Sequence, residues 1–87
     1  MEKIIEFTQE AKIDLAYWHK TNNQKILKRV RELLENIIEN PTHGIGKPEP
    51  LKYNLSAYWS RRITKEHRIV YEIMKDKILV HSLKGHY

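Results

Sequence analysis

The chain contains no cysteine, which excludes disulfide staples and thiolate zinc sites and fits a reducing compartment. At 87 residues it has room for one core and not two, and packing alone must hold that core together. Long apolar runs are also missing. MEKIIEF at the start is too short and too charged for the apolar region of a secretory signal, and nothing approaches the roughly 18 residues of a membrane span. The expectation is a single domain over residues 1–87, soluble and cytoplasmic, with no membrane contact. Proline and glycine are scarce, three of each, and all but Gly85 lie in PTHGIGKPEP between Pro41 and Pro50. That stretch reads as one ordered loop.

Charge of one sign is missing from the second half. Residues 1–41 balance seven basic side chains against seven acidic ones, whereas residues 42–87 carry nine against four, so the whole formal excess of +5 sits there. Four of the five histidines (His43, His67, His81, His86) and Tyr53, Tyr58, Trp59, Tyr71 and Tyr87 share that half. Cations neutralise phosphates and rings stack on bases, so the mixture suits single-stranded nucleic acid. A solvated basic sheet face over core aromatics accounts for it equally.

Periodicity gives the order of elements. IIEF at 4–7 is a short β-type run. Thr8 is a plausible N-cap for a helix carrying Ala11, Leu15 and Trp18, which TNN at 21–23 breaks. A second helix carries Ile26, Val30, Leu33, Leu34, Ile37 and Ile38 as an apolar stripe and stops at Asn40-Pro41. Beyond the loop, AYWSRRIT, HRIVYEIM and KILVHSLK read as strands of a meander, and LKYNL adds another. The expected fold is α+β, with two N-terminal helices packed on one face of a small twisted antiparallel sheet whose other face is open and basic.

Three polar residues stand out: Glu49 in KPEP, Arg68 at the start of HRIVY, and His86 beside the terminus, where chains usually fray. If Lys75, Asp76 and Lys77 form a three-residue loop, Arg68 faces Lys84 and His86 lies on the same face; a two-residue turn would separate them. Arg62 joins the same face if Lys65, Glu66 and His67 make the preceding turn. A carboxylate, an imidazole and two guanidinium groups on one face match the needs of RNA transesterification. A base takes the 2′-OH proton, an acid protonates the 5′-oxygen and cations stabilise the phosphorane. Such chemistry requires no metal or other cofactor. Taken singly, each residue also has a plain reading: a solvated loop glutamate, a strand arginine paired with a carboxylate, an unremarkable terminal histidine.

The stretch GIGKPEPLKYNLSAYWSRRITKEHRIVYEI, together with the terminal HY, resembles the YoeB (Txe) toxins of the RelE superfamily, ribosome-dependent mRNA interferases of toxin-antitoxin pairs. The likeness runs from KIIEF to Tyr87. It implies a microbial-ribonuclease-like fold and an endoribonuclease that cuts mRNA in the ribosomal A site, leaving a 2′,3′-cyclic or 3′-phosphate and a 5′-OH. By motif, Glu49 is implied as general base, Arg68 as stabiliser of the transferring phosphate and His86 as general acid. Arg62 and Lys52 are implied to hold RNA phosphates, Lys47 of the GKPEP segment is grouped with them, and Tyr87 supports substrate placement. The chain departs from the family at the end, where Gly85 stands in place of a frequent aromatic. Implied partners are the ribosome with its mRNA and an acidic antitoxin of the YefM (Phd) type, with promoter DNA bound only through the antitoxin complex; a homodimer is compatible. The alternative is a noncatalytic RNA- or ribosome-binding module neutralised by an acidic partner.

Overall fold

The structure, a computed structural model, describes residues 3–51 and 57–85. Strand β1 (Ile4–Phe7) leads directly into helix α1 (Gln9–Lys20). Thr8 makes the junction: its hydroxyl accepts from the Ala11 N–H and donates to the His81 carbonyl, capping the helix and tying it to the far end of the chain. Helix α1 stops where Asn22 adopts a φ of 54°, a left-handed conformation that asparagine tolerates. Asn23 then caps helix α2 (Gln24–Glu39) by accepting from the Ile26 N–H. The apolar stripe of α2 faces inward, with Ile26, Val30, Leu33 and Ile37 buried and Leu34 and Ile38 half-buried.

Strands β2 (Glu49–Pro50), β3 (Tyr58–Arg62), β4 (Arg68–Ile73) and β5 (Lys77–Ser82) complete a five-stranded sheet in the order β1-β5-β4-β3-β2. The expected α+β architecture, two helices against a mostly antiparallel sheet, is present, with one correction: β1 runs parallel to β5. A helical excursion lies between β1 and the later strands, so β1 can return alongside the last strand without a hairpin. A second difference concerns the edge. The edge strand is the two-residue β2; of the strand expected at LKYNL, all but Leu51 lies outside the described residues.

The hairpin between β4 and β5 also differs from expectation. Met74 N–H donates to the Lys77 carbonyl and Ile73 opposes Ile78, so the tip is Lys75-Asp76, one residue shorter than the anticipated loop. The core imposes this. Pairing Met74 with Ile78 would turn Ile78 and Val80 away from the helices, whereas the observed register sets both beside Ile73 and Tyr71. A β-bulge then restores the other parity: Tyr71 opposes Val80 but Val70 opposes Ser82, leaving His81 as the extra residue. Beyond the bulge the register is the one a three-residue loop would have produced. At the β3–β4 connection, Arg62 directly opposes Arg68, which shifts the pairing by two residues from a 65–67 turn and leaves the shared face unchanged.

The helices and sheet enclose Ala11, Trp18, the α2 stripe, Ile63, Ile69, Tyr71, Ile78, Val80 and Leu83. Leu33 has 0% exposure and Ile13 has 59%. Leu33→Ala is expected to cost about 2–5 kcal/mol in urea unfolding, from lost transfer energy plus the cavity. Ile13→Ala should stay within about 0.5 kcal/mol.

Candidate active site

The loop that carries Glu49 is held by a buried arginine. Arg61 lies on β3 with its side chain on the helix face and 0% exposure. All five guanidinium N–H groups find acceptors: Nε donates to the Tyr71 hydroxyl, one terminal nitrogen to Asn36 Oδ1 and the Ile45 carbonyl, and the other to the carbonyls of Asn40 and His43. Tyr71 in turn donates to the Pro41 carbonyl at 2.6 Å. One side chain therefore gathers the turn after α2 and gives each of these carbonyls a donor. Two glycines permit the approach. Gly44 has a φ of 127°, and a Cβ there would sit 1.9 Å from Asn36 Oδ1; at Gly46, with a φ of 82°, it would lie 2.7 Å from Leu33.

From this anchored turn the chain runs along β3. Arg62 N–H donates to the Gly46 carbonyl at 2.7 Å and Leu51 N–H to the Tyr58 carbonyl at 2.9 Å, bracketing Glu49 between two backbone bonds. Proline at 48 and 50 is admissible because β2 is the sheet edge. Glu49 opposes Ser60, Ser60 opposes Val70 and Val70 opposes Ser82, so these four form one row across the face away from the helices. Arg62 and Arg68 form the next row on the same face. Glu49 and Arg62 are diagonal neighbours on this face, within reach of long side chains. Lys47 is exposed in the adjoining loop with a φ of 53°.

The electrostatics separate these residues from their neighbours. Like charges directly opposed across strands destabilise a sheet. Arg62 and Arg68 nevertheless face each other, and among the described residues neither forms an ion pair. Glu6 and Glu72 also lie on this face, and both are engaged: Glu6 Oε1 lies 2.6 Å from Lys77 Nζ, Glu72 Oε1 lies 3.0 Å from His81 Nε2, and the His81 ring stacks on Tyr58 at 4.9 Å. Glu49 has no such partner among the described residues. The arrangement is an acceptor beside two unneutralised planar cations, able to receive an anion with bidentate hydrogen bonds. Among the described residues, no three His, Asp or Glu side chains converge as metal ligands would.

The last described residues are fixed rather than frayed. Leu83 N–H donates to Asp14 Oδ2 at 2.9 Å, and the Leu83 carbonyl accepts from Trp18 Nε1 at 3.0 Å. Lys84 Nζ lies 3.9 Å from the centre of the Tyr17 ring. Arg68 N–H donates to the Gly85 carbonyl at 2.8 Å, which brings the chain to the arginine row. His86, Tyr87 and Lys52 lie outside the described residues. The structure thus gathers Glu49, Arg62 and Arg68 on one face, with Lys47 beside them.

Sequence reasoning missed Arg61, Asp14 and Trp18 as the supports of this site. Arg61 shares its parity with Trp59 and Ile63, which marks the core side of β3. Asp14 sits three residues after Ala11 and four before Trp18, within the apolar face of α1, where a carboxylate needs a buried donor.

Comparison with known proteins agrees with this geometry. Residues 7–87 match the family described as YoeB-like toxin of bacterial type II toxin-antitoxin system. The chain is similar to Toxin YoeB of Escherichia coli K12, with 44% identity over 81 residues, 93% of this chain and 95% of that one. Among solved structures, a YoeB dimer from Staphylococcus aureus superposes with a TM-score of 0.90 at 43% identity over the whole of both chains. A YoeB–YefM complex from the same organism gives 0.85 at 44%, again over both whole chains. Two helices on a mostly antiparallel sheet define a toxin fold of the RelE/YoeB kind. The chain belongs to the YoeB-like toxins of bacterial type II toxin-antitoxin systems.

The brace generates two expectations. Arg61→Ala removes five hydrogen bonds around a fully buried side chain and should cost about 3–5 kcal/mol in urea unfolding. Burial pushes the Tyr71 hydroxyl above its ordinary 10.0, and the hydrogen bond and charge of Arg61 offset this only in part. A raised folded value means that the stability is fully present below about pH 10 and is lost as pH climbs through the raised value. Unfolding midpoints should therefore fall in that alkaline range, and Tyr71→Phe should flatten part of the fall.

Proposed function

We propose that this toxin is an endoribonuclease that cleaves mRNA in the ribosomal A site and so stops translation. The observation carrying the reading is the opposed pair Arg62 and Arg68, without an ion-pair partner among the described residues, with Arg62 one diagonal step from Glu49, on a face with no helix against it. Glu49 accepts the 2′-OH proton, the 2′-oxygen forms a bond to phosphorus, and the bond to the 5′-oxygen breaks. His86 gives that oxygen its proton, leaving a 2′,3′-cyclic phosphate and a 5′-OH. Arg68 meets the charge that builds on the phosphorane, where a preorganised donor is most effective. Arg62, Lys52 and Lys47 hold flanking phosphates, and Tyr87 supports substrate placement. No metal enters the mechanism. The partner that silences the site is an acidic antitoxin of the YefM kind, whose carboxylates would neutralise the arginine row; the YoeB–YefM complex of the Staphylococcus aureus relative supports this.

Two measurements test the reading. On programmed ribosomes, mRNA carrying 2′-deoxyribose at the scissile position should bind and remain intact while the ribose form is cut. Discrete cutting of the deoxy substrate would exclude the 2′-OH as nucleophile, and uncut ribose substrate would mark the protein as a docking module. Arg68→Ala should lose on the order of a hundredfold in single-turnover rate at saturating ribosomes. Lys52→Ala should act mainly on binding and on its salt dependence. Equal rate losses would remove Arg68 from the reaction centre.

A further inference from the structure

His67 precedes Arg68 and lies at the tip of the β3–β4 hairpin. Its backbone is fully engaged: the carbonyl accepts from the N–H groups of Ile63 and Thr64, and its own N–H donates to Thr64 Oγ1 at 3.1 Å. The half-buried ring packs edge-on against Trp18, with centroids 4.8 Å apart. Its Nδ1 lies 2.9 Å from the Gly85 nitrogen and accepts that N–H, which places the ring proton on Nε2. The next residue, Arg68, donates its backbone N–H to the Gly85 carbonyl at 2.8 Å. Two consecutive residues therefore grip both polar groups of a single glycine.

That glycine has a φ of 82°, and no atom of the described residues lies within 4 Å of where a Cβ would be. Space does not demand glycine there; the left-handed backbone does. An unheld glycine explores both signs of φ freely, so without its two bonds the chain leaving residue 85 has no defined direction.

We propose that His67 is a positioning residue for the C-terminal proton donor, acting through Gly85. The inference rests on the proposed assignment of His86 as general acid. His86 is bonded directly to Gly85, so the imidazole of His67 sets where the main chain enters it relative to Arg68. Removing the acceptor leaves the Gly85 N–H to water. The donor then spends most of its time away from the leaving oxygen, where misplacement by about 1 Å can cost on the order of a hundredfold.

The test compares His67→Phe, which keeps a ring against Trp18 but has no acceptor, with His67→Asn, whose side-chain oxygen can take the Gly85 N–H. Cleavage is read in single turnover on programmed ribosomes, with normal RNA and with RNA whose 5′-oxygen leaving group is replaced by sulfur, which needs little protonation. His67→Phe should lose roughly 10- to 100-fold on the oxygen substrate and much less on the sulfur one. His67→Asn should recover most of the oxygen-substrate rate. In a His86→Gln background, His67→Phe should add little further loss. Equal losses on both substrates, no loss, or full additivity with His86→Gln would overturn the assignment. Hydrogen exchange of the Gly85 amide gives a reading independent of activity: it should be slow in the parent and fast in His67→Phe, and equal protection in both would overturn the clamp itself. A parent protein that cuts no ribosome-bound mRNA would instead overturn the proposed function.

Discussion

The free face of the sheet depends on a guanidinium that never reaches it. Arg61 occupies the helix side of β3, surrounded by carbonyls, an amide and a phenol, without a carboxylate of its own. Burying an arginine unpaired by an anion is costly unless every donor is satisfied, and here every donor is. Because its acceptors come from α2, the loop and β4, the residue can be satisfied only when all three are in place. The loop has little apolar surface of its own to bury, so this polar hub fixes where Lys47, Pro48 and Glu49 emerge. Neighbouring positions on one strand thus face opposite ways: Arg61 is buried against the helices, and Arg62 is exposed on the free face.

A comparable division appears at the other border of the site. The segment from Ser82 to Gly85 has no partner strand beyond the first residues of β4, yet its backbone is tied by Asp14, Trp18, His67 and Arg68. Three of these are side chains and one is a main-chain group. The bulge at His81 connects the two regimes. Up to Val80 the register obeys the core, and after His81 it obeys the free face. An extra residue is the only way a strand with period-two alternation can serve both.

Much of this was legible in the sequence. Both helices, the Thr8 cap and the three long strands follow from apolar spacing and breakers, because each buries a face whose period is visible locally. The shared face of Arg62, Arg68 and Glu49 followed from parity and motif. The parallel position of β1 was not legible, since it depends on which distant strand offers an edge. Neither were the short turn and the compensating bulge: a one-residue gain and a one-residue loss cancel, so a reading that ignored both gives the register seen at Val70 and Ser82 by a wrong route. The role of Arg61 was hidden for a different reason. A charged side chain on the core side of a strand contradicts simple patterning, and only the carbonyls delivered by the loop resolve the contradiction.

The pairing of β1 with β5 has a temporal meaning. Thr8 bonds to residues 80 and 81, and Lys3 to residue 74, so the first strand has its neighbour only when almost the entire chain exists. Contacts of such sequence separation form late and slowly compared with local helices. During synthesis the N-terminal half can make helix but no closed sheet, and the arginine row has no fixed geometry until β4 and β5 have followed it out.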